Sequence, residues 1–204
     1  MTSHPTAVIF DCGNVLYGWD PDSFLARQLP EDEKRLRFIA DVDLWNWHES
    51  LDGGRPFDEA AAELSQKFPD YAAFISAWGE RFGETISDPV PGVREIVEEL
   101  DGRGVPLFVI TNFSAEFWAP FRAREDSFFR RFRGIIVSGE EKLLKPDPAI
   151  YYRALDRFGL NPSDALFVDD RRINVEGAEA VGMKGHLFTG ADDLRRRLEE
   201  EGLL

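Results

Sequence analysis

The segment AVIFDCGN, residues 7–14, decides the fold, because its apolar run ends abruptly in Asp11. Four apolar residues are too few for a helix, and their β-branched and aromatic side chains are typical of a strand buried on both faces. The same pattern recurs in PLFVI at residues 106–110, in ALFV at residues 165–168 and, more weakly, in GIIV at residues 134–137. These runs predict the central strands of one parallel sheet.

The segments between the predicted strands have the apolar spacing of helices. Apolar residues repeat on one helix face at residues 93–100 and 148–158, and residues 174–181 form a further helical pattern that stops before Gly182. Asp147 precedes a proline and is placed to cap the second of these helices. Because strands and helices alternate, we predict an α/β fold with a doubly wound, mostly parallel, Rossmann-like sheet.

The stretch from residue 20 to residue 87 interrupts this alternation. It has helical spacing throughout and is rich in large aromatic side chains. Glycines and prolines at residues 17–21 and 87–92 are typical of connecting segments. We therefore predict a core domain formed by residues 1–19 and 88–204, with a small all-helical cap at residues 20–87 inserted after the first strand.

Composition excludes several classes of partner. The 24 basic and 38 acidic residues give a formal net charge of -14, which repels phosphate backbones and anionic lipids, so we expect neither a nucleic-acid nor a membrane partner. No run approaches membrane-spanning length, and residues 1–5 lack the features of a signal peptide. The single cysteine, Cys12, permits no internal disulfide, and we expect it to be a packed, inert thiol. These features predict a cytoplasmic protein.

Polar side chains follow the predicted strands at the edge where open parallel sheets bind ligands. They are Asp11, Thr111, Asp169 and Asp170. Like charges about 4 Å apart repel by several kcal/mol at an effective dielectric constant of about 20, so acids that converge there need a cation. Magnesium (Mg2+) is suitable because it prefers hard oxygen ligands from carboxylates and phosphate, whereas the absence of a nearby histidine disfavours zinc.

Four short segments occur in a fixed order along the chain: FDCGNVL at residues 10–16, ITN at 110–112, KPDP at 145–148 and VDD at 168–170 with Asn174. With these motifs the chain resembles the haloacid dehalogenase superfamily, in its branch of phosphatases with a small helical cap, where the motifs have the same order. The resemblance covers the core to about residue 185. It implies the same α/β core, and the predicted insertion lies where that family has its helical cap.

The resemblance also implies roles for the acidic residues. Asp11 is implied as the nucleophile that forms an aspartyl-phosphate, which divides one difficult displacement into two easier ones. Asp170 is implied to bind magnesium together with Asp11 and the main-chain carbonyl of Gly13. Asp169 is expected to support the metal site without binding the ion directly.

The remaining motif residues are implied to hold the phosphoryl group and the carboxylates. Lys145 offsets the negative charge of substrate and carboxylates, and the Thr111 hydroxyl with the amide groups of Asn112 and Phe113 is expected to hold phosphoryl oxygens. Asn174 is expected to orient the carboxylates from the first turn of the following helix.

Gly13 departs from the family pattern, which usually has a second aspartate there as the general acid. The absence of this aspartate leaves three alternatives: a cap residue or a water molecule supplies the proton, the leaving group departs without one, or the chemistry differs from phosphate hydrolysis. His48 in the insertion is one candidate donor, because the pKa of histidine suits proton transfer near neutrality. A surface or interface histidine is the more common case.

The motifs predict a magnesium-dependent hydrolase of small phosphomonoesters, such as a sugar phosphate, that is either a monomer or a homodimer. The enzymatic alternative is a 2-haloacid dehalogenase with the same Asp11 nucleophile and no metal, although Asp169 and Asp170 weigh against it. A further alternative is a catalytically weak protein that binds a phosphorylated ligand or a protein partner, for which Gly13 is the only support.

Overall fold

The strands form one parallel sheet and one small ribbon. The computed structural model describes residues 4–204, so residues 1–3 of the N-terminal segment considered above lie outside the described residues. The strands are β1 (Ala7–Phe10), β2 (Tyr17–Trp19), β3 (Ile86–Pro89), β4 (Leu107–Thr111), β5 (Gly134–Val137), β6 (Ala165–Asp169) and β7 (Lys184–Leu187). The main sheet has the order β5-β4-β1-β6-β7 with all neighbours parallel, and β2 pairs with β3 in antiparallel fashion. This arrangement confirms the predicted fold class.

The helices surround the sheet and fill the insertion. They are α1 (Pro21–Gln28), α2 (Asp32–Asp41), α3 (Leu44–Asp52), α4 (Phe57–Lys67), α5 (Ala72–Glu80), α6 (Val93–Gly102), α7 (Ala115–Arg124), α8 (Asp126–Phe129), α9 (Ser138–Glu141), α10 (Pro148–Phe158), α11 (Arg172–Ala180) and α12 (Ala191–Glu200). Short 3-10 turns occur at Pro69–Tyr71, Phe82–Thr85 and Pro162–Asp164. Within residues 4–204, none of the helices combines the length and the apolar character needed to cross a membrane.

Successive residues of β1 point into two different cores. Val8 and Phe10 pack in a large core that includes apolar residues of α6 and α12, whereas Ala7 and Ile9 pack in a second core with α10 and α11. Side chains alternate between the two faces of a strand, so helices cover both faces of the sheet. The continuous apolar run of β1 is the consequence of this double burial.

Two features of the sheet were not predicted from the sequence. β7 (KGHL) is a polar strand at the edge of the sheet, where half-buried residues need no apolar run. Residues 17–19 and 86–89, which overlap the predicted connecting segments 17–21 and 87–92, form the β2–β3 ribbon that joins the helical insertion to the core. Their pairing was not visible because the two partners are far apart in sequence and lack regular alternation.

Asp147 caps α10 as predicted. Its carboxylate accepts a hydrogen bond from the backbone N–H of Ala149 at 2.8 Å, and Pro148 occupies the first helical position. The helix ends before Gly159, whose φ of 67° lies in the left-handed region that favours glycine. The cap places α10 directly after Lys145 and therefore fixes the chain that follows this lysine.

We predict that Asp147→Ala lowers the free energy of unfolding by about 0.5–2 kcal/mol, because an N-terminal N–H of α10 loses its acceptor. The measurement is the urea midpoint at constant m-value. Asp156→Ala, on the exposed face of the same helix, is the control and should change stability by less than about 0.5 kcal/mol. Equal effects of the two substitutions would contradict the capping role.

Candidate active site

Three carboxylates converge at the carboxyl edge of the central strands. Asp11 follows β1 directly, Asp169 ends β6, and Asp170 is the next residue. Because β1 and β6 are parallel neighbours, the ends of both strands lie at the same edge. Oxygen atoms of the three side chains lie within 4.8 Å of one another. The structure thus brings together the acids that the sequence places at strand ends.

Lys145 lies between two of these carboxylates and is almost fully buried, with 2% of its surface exposed. Its Nζ is 2.8 Å from Asp11 Oδ1 and 2.6 Å from Asp169 Oδ2. Asn112, after β4, holds the lysine backbone: Asn112 Oδ1 accepts from Lys145 N at 2.8 Å, and Asn112 Nδ2 donates to Lys145 O at 3.0 Å. Asn112 therefore fixes the position of the ammonium group.

Asp169 is fully buried and its oxygens are occupied by protein donors. Oδ1 accepts from the backbone N–H of Arg171 at 2.8 Å, and Asn174 Nδ2 lies 3.0 Å and 3.1 Å from the two oxygens. Asn174 is itself held through its backbone carbonyl by the hydroxyl of Tyr151 at 2.7 Å. Asp169 thus accepts hydrogen bonds from neighbouring protein groups on both of its oxygens.

Asn14 is a site residue that the sequence analysis did not assign. Its Nδ2 donates to Asp170 Oδ2 at 3.3 Å, and its Oδ1 accepts from Trp19 N at 3.0 Å. The residue has a φ of 55°, a left-handed conformation that asparagine tolerates better than most residues. The sequence did offer one signal for this residue, because Asn14 and Val15 form a turn shortly after Asp11 at the end of β1. Asn14 thereby links Asp170 to the β2–β3 ribbon.

Burial dominates the electrostatics of the acidic cluster. Burial raises the pKa of Asp11 to about 7; Lys145 opposes this shift, and the negative charge of Asp169 adds to it. Burial and Asp169 also raise the pKa of Asp170. The Lys145 pKa is held above its usual range because Asp11 and Asp169 outweigh the effect of burial. One ammonium does not satisfy this cluster, and its hard oxygen donors fit a magnesium ion held by Asp11 and Asp170.

A cavity of about 430 Å3 extends from the acidic cluster to the helical insertion. Asp11, Asp170, Lys145 and Asn112 line one end. The rest of the lining includes a group of large apolar side chains from both the insertion and the core, namely Tyr17, Trp19, Trp45, Phe82, Ile86, Phe113 and Phe121. The cavity therefore joins a charged end to a largely aromatic one.

One of the expected phosphoryl contacts differs in the structure. The backbone N–H of Phe113, expected to hold a phosphoryl oxygen, donates instead to Ser138 Oγ at 2.8 Å, because Ser138 follows β5, the neighbour of β4. Phe113 contributes its ring to the cavity wall. Thr111 ends β4 and has only 1% of its surface exposed.

Two titratable side chains near the cavity, Cys12 and His48, are uncharged at neutral pH. Burial raises the pKa of the Cys12 thiol well above its usual range, which is consistent with the expected inert thiol. His48 lies between the rings of Trp19 and Phe82, at 5.5 Å from each, and burial lowers its pKa to about 4. Its imidazole is therefore uncharged at neutral pH. Asp52, which the sequence analysis did not single out, lines the same cavity.

Comparison with known proteins identifies related sequences over most of the chain. The profile of the haloacid dehalogenase-like hydrolases matches residues 5–182. Sesquiterpene phosphatase astK from Aspergillus oryzae is 30% identical over 181 residues, which cover 88% of this chain and 87% of that protein. A phosphoglycolate phosphatase from Pseudomonas syringae pv. tomato is 36% identical over 126 residues, 62% of this chain; these residues span only 43% of that protein.

A solved structure shows the same fold at low sequence identity. It is the haloacid dehalogenase family enzyme bt-2542 from Bacteroides thetaiotaomicron, in complex with magnesium and inorganic phosphate. The two structures align with a TM-score of 0.68 at 17% identity, over 91% of this chain and 95% of the other. At this identity the likeness establishes the fold alone.

We predict that Lys145→Met destabilises the metal-free protein by about 3–5 kcal/mol at neutral pH, because it leaves buried Asp11 and Asp169 without their counter-charge. The measurement is chemical denaturation followed by circular dichroism. Lys142→Met removes an exposed lysine three residues earlier and should change stability by less than about 0.5 kcal/mol. A Lys145→Met protein as stable as the wild type would contradict the structural importance of this ion pair.

Proposed function

The chain belongs to the haloacid dehalogenase-like hydrolases, and we propose that it is a magnesium-dependent phosphomonoesterase that acts on a small phosphorylated metabolite. The observation that carries the proposal is the convergence of Asp11, Asp170 and Lys145 at one end of a cavity that is apolar at the other. A phosphoryl group fits the charged end, and the remainder of the substrate fits the aromatic end.

Asp11 is the proposed nucleophile. Its Oδ1 accepts hydrogen bonds from the backbone N–H of Cys12 at 2.6 Å and contacts Lys145 Nζ at 2.8 Å. No donor within residues 4–204 contacts the other oxygen, Oδ2, which is therefore available to attack phosphorus. Attack forms an aspartyl-phosphate, and water hydrolyses it in the second step.

The proposed metal ligands are the carboxylates of Asp11 and Asp170 and the main-chain carbonyl of Gly13. When bound, magnesium supplies positive charge to the transferring phosphoryl group. Asp169 supports the site through its contacts with Lys145 and Asn174. The bt-2542 complex, which has the same fold and contains magnesium and phosphate, is consistent with this assignment.

The protein cations and amides would complete the phosphoryl site. Lys145 neutralises charge at Asp11 and on the phosphoryl oxygens, and Asn112 fixes its position through the lysine backbone. The Asn112 backbone N–H and the Thr111 hydroxyl are the proposed donors from the end of β4. Arg171 also lines the cavity and supplies a further positive charge near Asp170.

The helical insertion, residues 20–87, is the proposed cap that excludes water and selects the leaving group. The aromatic lining of the cavity, Trp45 and Phe82 of the insertion together with Trp19 of β2, favours an uncharged leaving group with an apolar face. A sugar ring and an isoprenoid chain both have such a face. A carboxylate there would lose water without gaining a matching cation, because Lys145 lies at the phosphoryl end.

The alternatives have weaker support. A 2-haloacid dehalogenase would use Asp11 on carbon without a metal, and it would have no use for the carboxylate pair beside the nucleophile, buried Asp169 and half-buried Asp170. A binder that does not turn over would have no use for an Asp11 oxygen kept free beside a buried lysine.

We predict that the wild-type protein hydrolyses p-nitrophenyl phosphate with magnesium and loses this activity in excess EDTA. Asp11→Asn should reduce the rate by at least about 1000-fold, because an amide is a poor nucleophile. Release of p-nitrophenolate is measured beside chloride release from 2-chloropropionate. Unchanged circular dichroism of Asp11→Asn is the control. Chloride release without magnesium, or turnover by Asp11→Asn, would contradict the proposal.

We predict a preference for leaving groups without a carboxylate. The value of kcat/KM for n-hexyl phosphate or a hexose phosphate should exceed that for phosphoglycolate by at least about tenfold, equivalent to ~1.4 kcal/mol. The reason is the aromatic lining contributed by Trp19, Trp45 and Phe82. Inorganic phosphate release from equal concentrations of the three compounds provides the measurement. Phosphoglycolate as the best substrate would show that the cavity lining does not determine specificity.

A further inference from the structure

We propose that Asp52, the last residue of α3, is the general acid of this enzyme and that His48 positions it. The proposal rests on the proposed phosphomonoesterase function and supplies the proton donor that Gly13 does not provide.

Asp52 reaches the active-site cavity from the insertion. Its side chain is 14% exposed and lines the same cavity as Asp11 and Lys145. Oδ1 is buried and has no hydrogen-bond partner within residues 4–204, while Oδ2 lies 3.7 Å from His48 Nε2. A buried carboxyl oxygen without a partner is unfavourable in a resting protein. Because Oδ1 is buried, the exposed part of the carboxyl group is the part that can reach a leaving group bound in the cavity.

The backbone of Asp52 is attached to the core beside the phosphoryl site. Its carbonyl accepts a hydrogen bond from Ser138 Oγ at 2.6 Å, and the same hydroxyl oxygen accepts from the backbone N–H of Phe113 at 2.8 Å. Gly54, two residues further on, lies so close to the core that a Cβ there would be 2.8 Å from the carbonyl oxygen of Gly139. The end of α3 is thus docked against the loop that contains Asn112 and Phe113.

The surroundings of Asp52 keep its proton on the carboxyl group. Burial raises the pKa of Asp52 to about 8; the backbone N–H of Ser114 opposes the shift, Glu49 and Asp11 add to it, and Lys145 opposes it.

On the same helix, His48 is packed against aromatic rings, and burial lowers its pKa to about 4. The acidic proton of the pair therefore lies on Asp52 at neutral pH. A neutral carboxyl group can give its proton to a leaving oxygen, whereas a neutral imidazole is a much weaker acid.

The proton transfers balance over both steps. In the first, an Asp11 oxygen forms a bond to phosphorus, the ester P–O bond breaks, and the leaving oxygen takes the bonding electron pair and the proton of Asp52. In the second, a water oxygen attacks phosphorus, its proton passes to the Asp52 carboxylate, and the bond between Asp11 and phosphorus breaks. Alcohol and inorganic phosphate leave, and both aspartates return to their starting states.

The test compares leaving groups that differ in their need for a proton. In a single turnover, Asp52→Asn should lower the rate of alcohol release from n-hexyl phosphate by about 100-fold to 10,000-fold, the usual contribution of a general acid. It should change the single-turnover rate of p-nitrophenolate release from p-nitrophenyl phosphate by less than about threefold, because p-nitrophenolate departs without a proton. With n-hexyl phosphate, the wild-type rate should also fall as the pH rises through about 8. That fall should be absent in Asp52→Asn.

Glu49→Gln is the matched control, because it neutralises an exposed carboxylate of the same helix and the same cavity. At a pH well below 8 it should change the rates of both substrates by the same factor, and, because Glu49 helps to raise the pKa of Asp52, it should move the fall in the n-hexyl phosphate rate to lower pH without abolishing it. Equal losses in the single-turnover release of the two leaving groups by a folded Asp52→Asn protein would overturn the assignment of Asp52 and leave the phosphatase proposal intact. A wild-type protein that hydrolyses neither compound with magnesium would overturn both proposals.

Discussion

The buried contact of Lys145 with Asp11 and Asp169 is the interaction on which the site depends. Ionised groups this deeply buried are tolerated only when they are paired and hydrogen-bonded, and all three residues are at least nine-tenths buried. The pairing requires β1 and β6 to be parallel neighbours and requires Asn112 to hold the lysine backbone. The order of the sheet and the state of the nucleophile are therefore parts of one electrostatic arrangement.

The core and the insertion contribute different chemistry to one cavity. The strand ends provide rigid charged groups, as expected for a site that must hold a phosphoryl group within a fraction of an ångström. The insertion provides aromatic side chains and Asp52 on elements that join the core through the β2–β3 ribbon and through Ser138. Variation in the insertion can therefore alter the choice of substrate while the reaction itself stays the same.

Much of the core follows from the sequence, because strands buried on both faces leave a continuous apolar run. β1, β4 and β6 were predictable on this ground, and so were the acids that end them, whereas polar β7 and the β2–β3 ribbon lack that pattern. Asp52 was not predictable, because an Asp near the end of an amphipathic helix has the same appearance whether it faces solvent or a cavity. Its environment is created by tertiary contacts, above all the aromatic rings around His48.

The close approach of Gly54 to Gly139 has a consequence for redesign of the protein. Gly54 has a φ of 93°, and a side chain there would collide with a main-chain carbonyl that has no freedom to withdraw. Any larger residue would push the end of α3 outward and enlarge the gap over the nucleophile. Libraries aimed at new substrates should therefore leave the Gly54–Gly139 contact unaltered and diversify positions at the start of α3, where Trp45 is 40% exposed and has room to change.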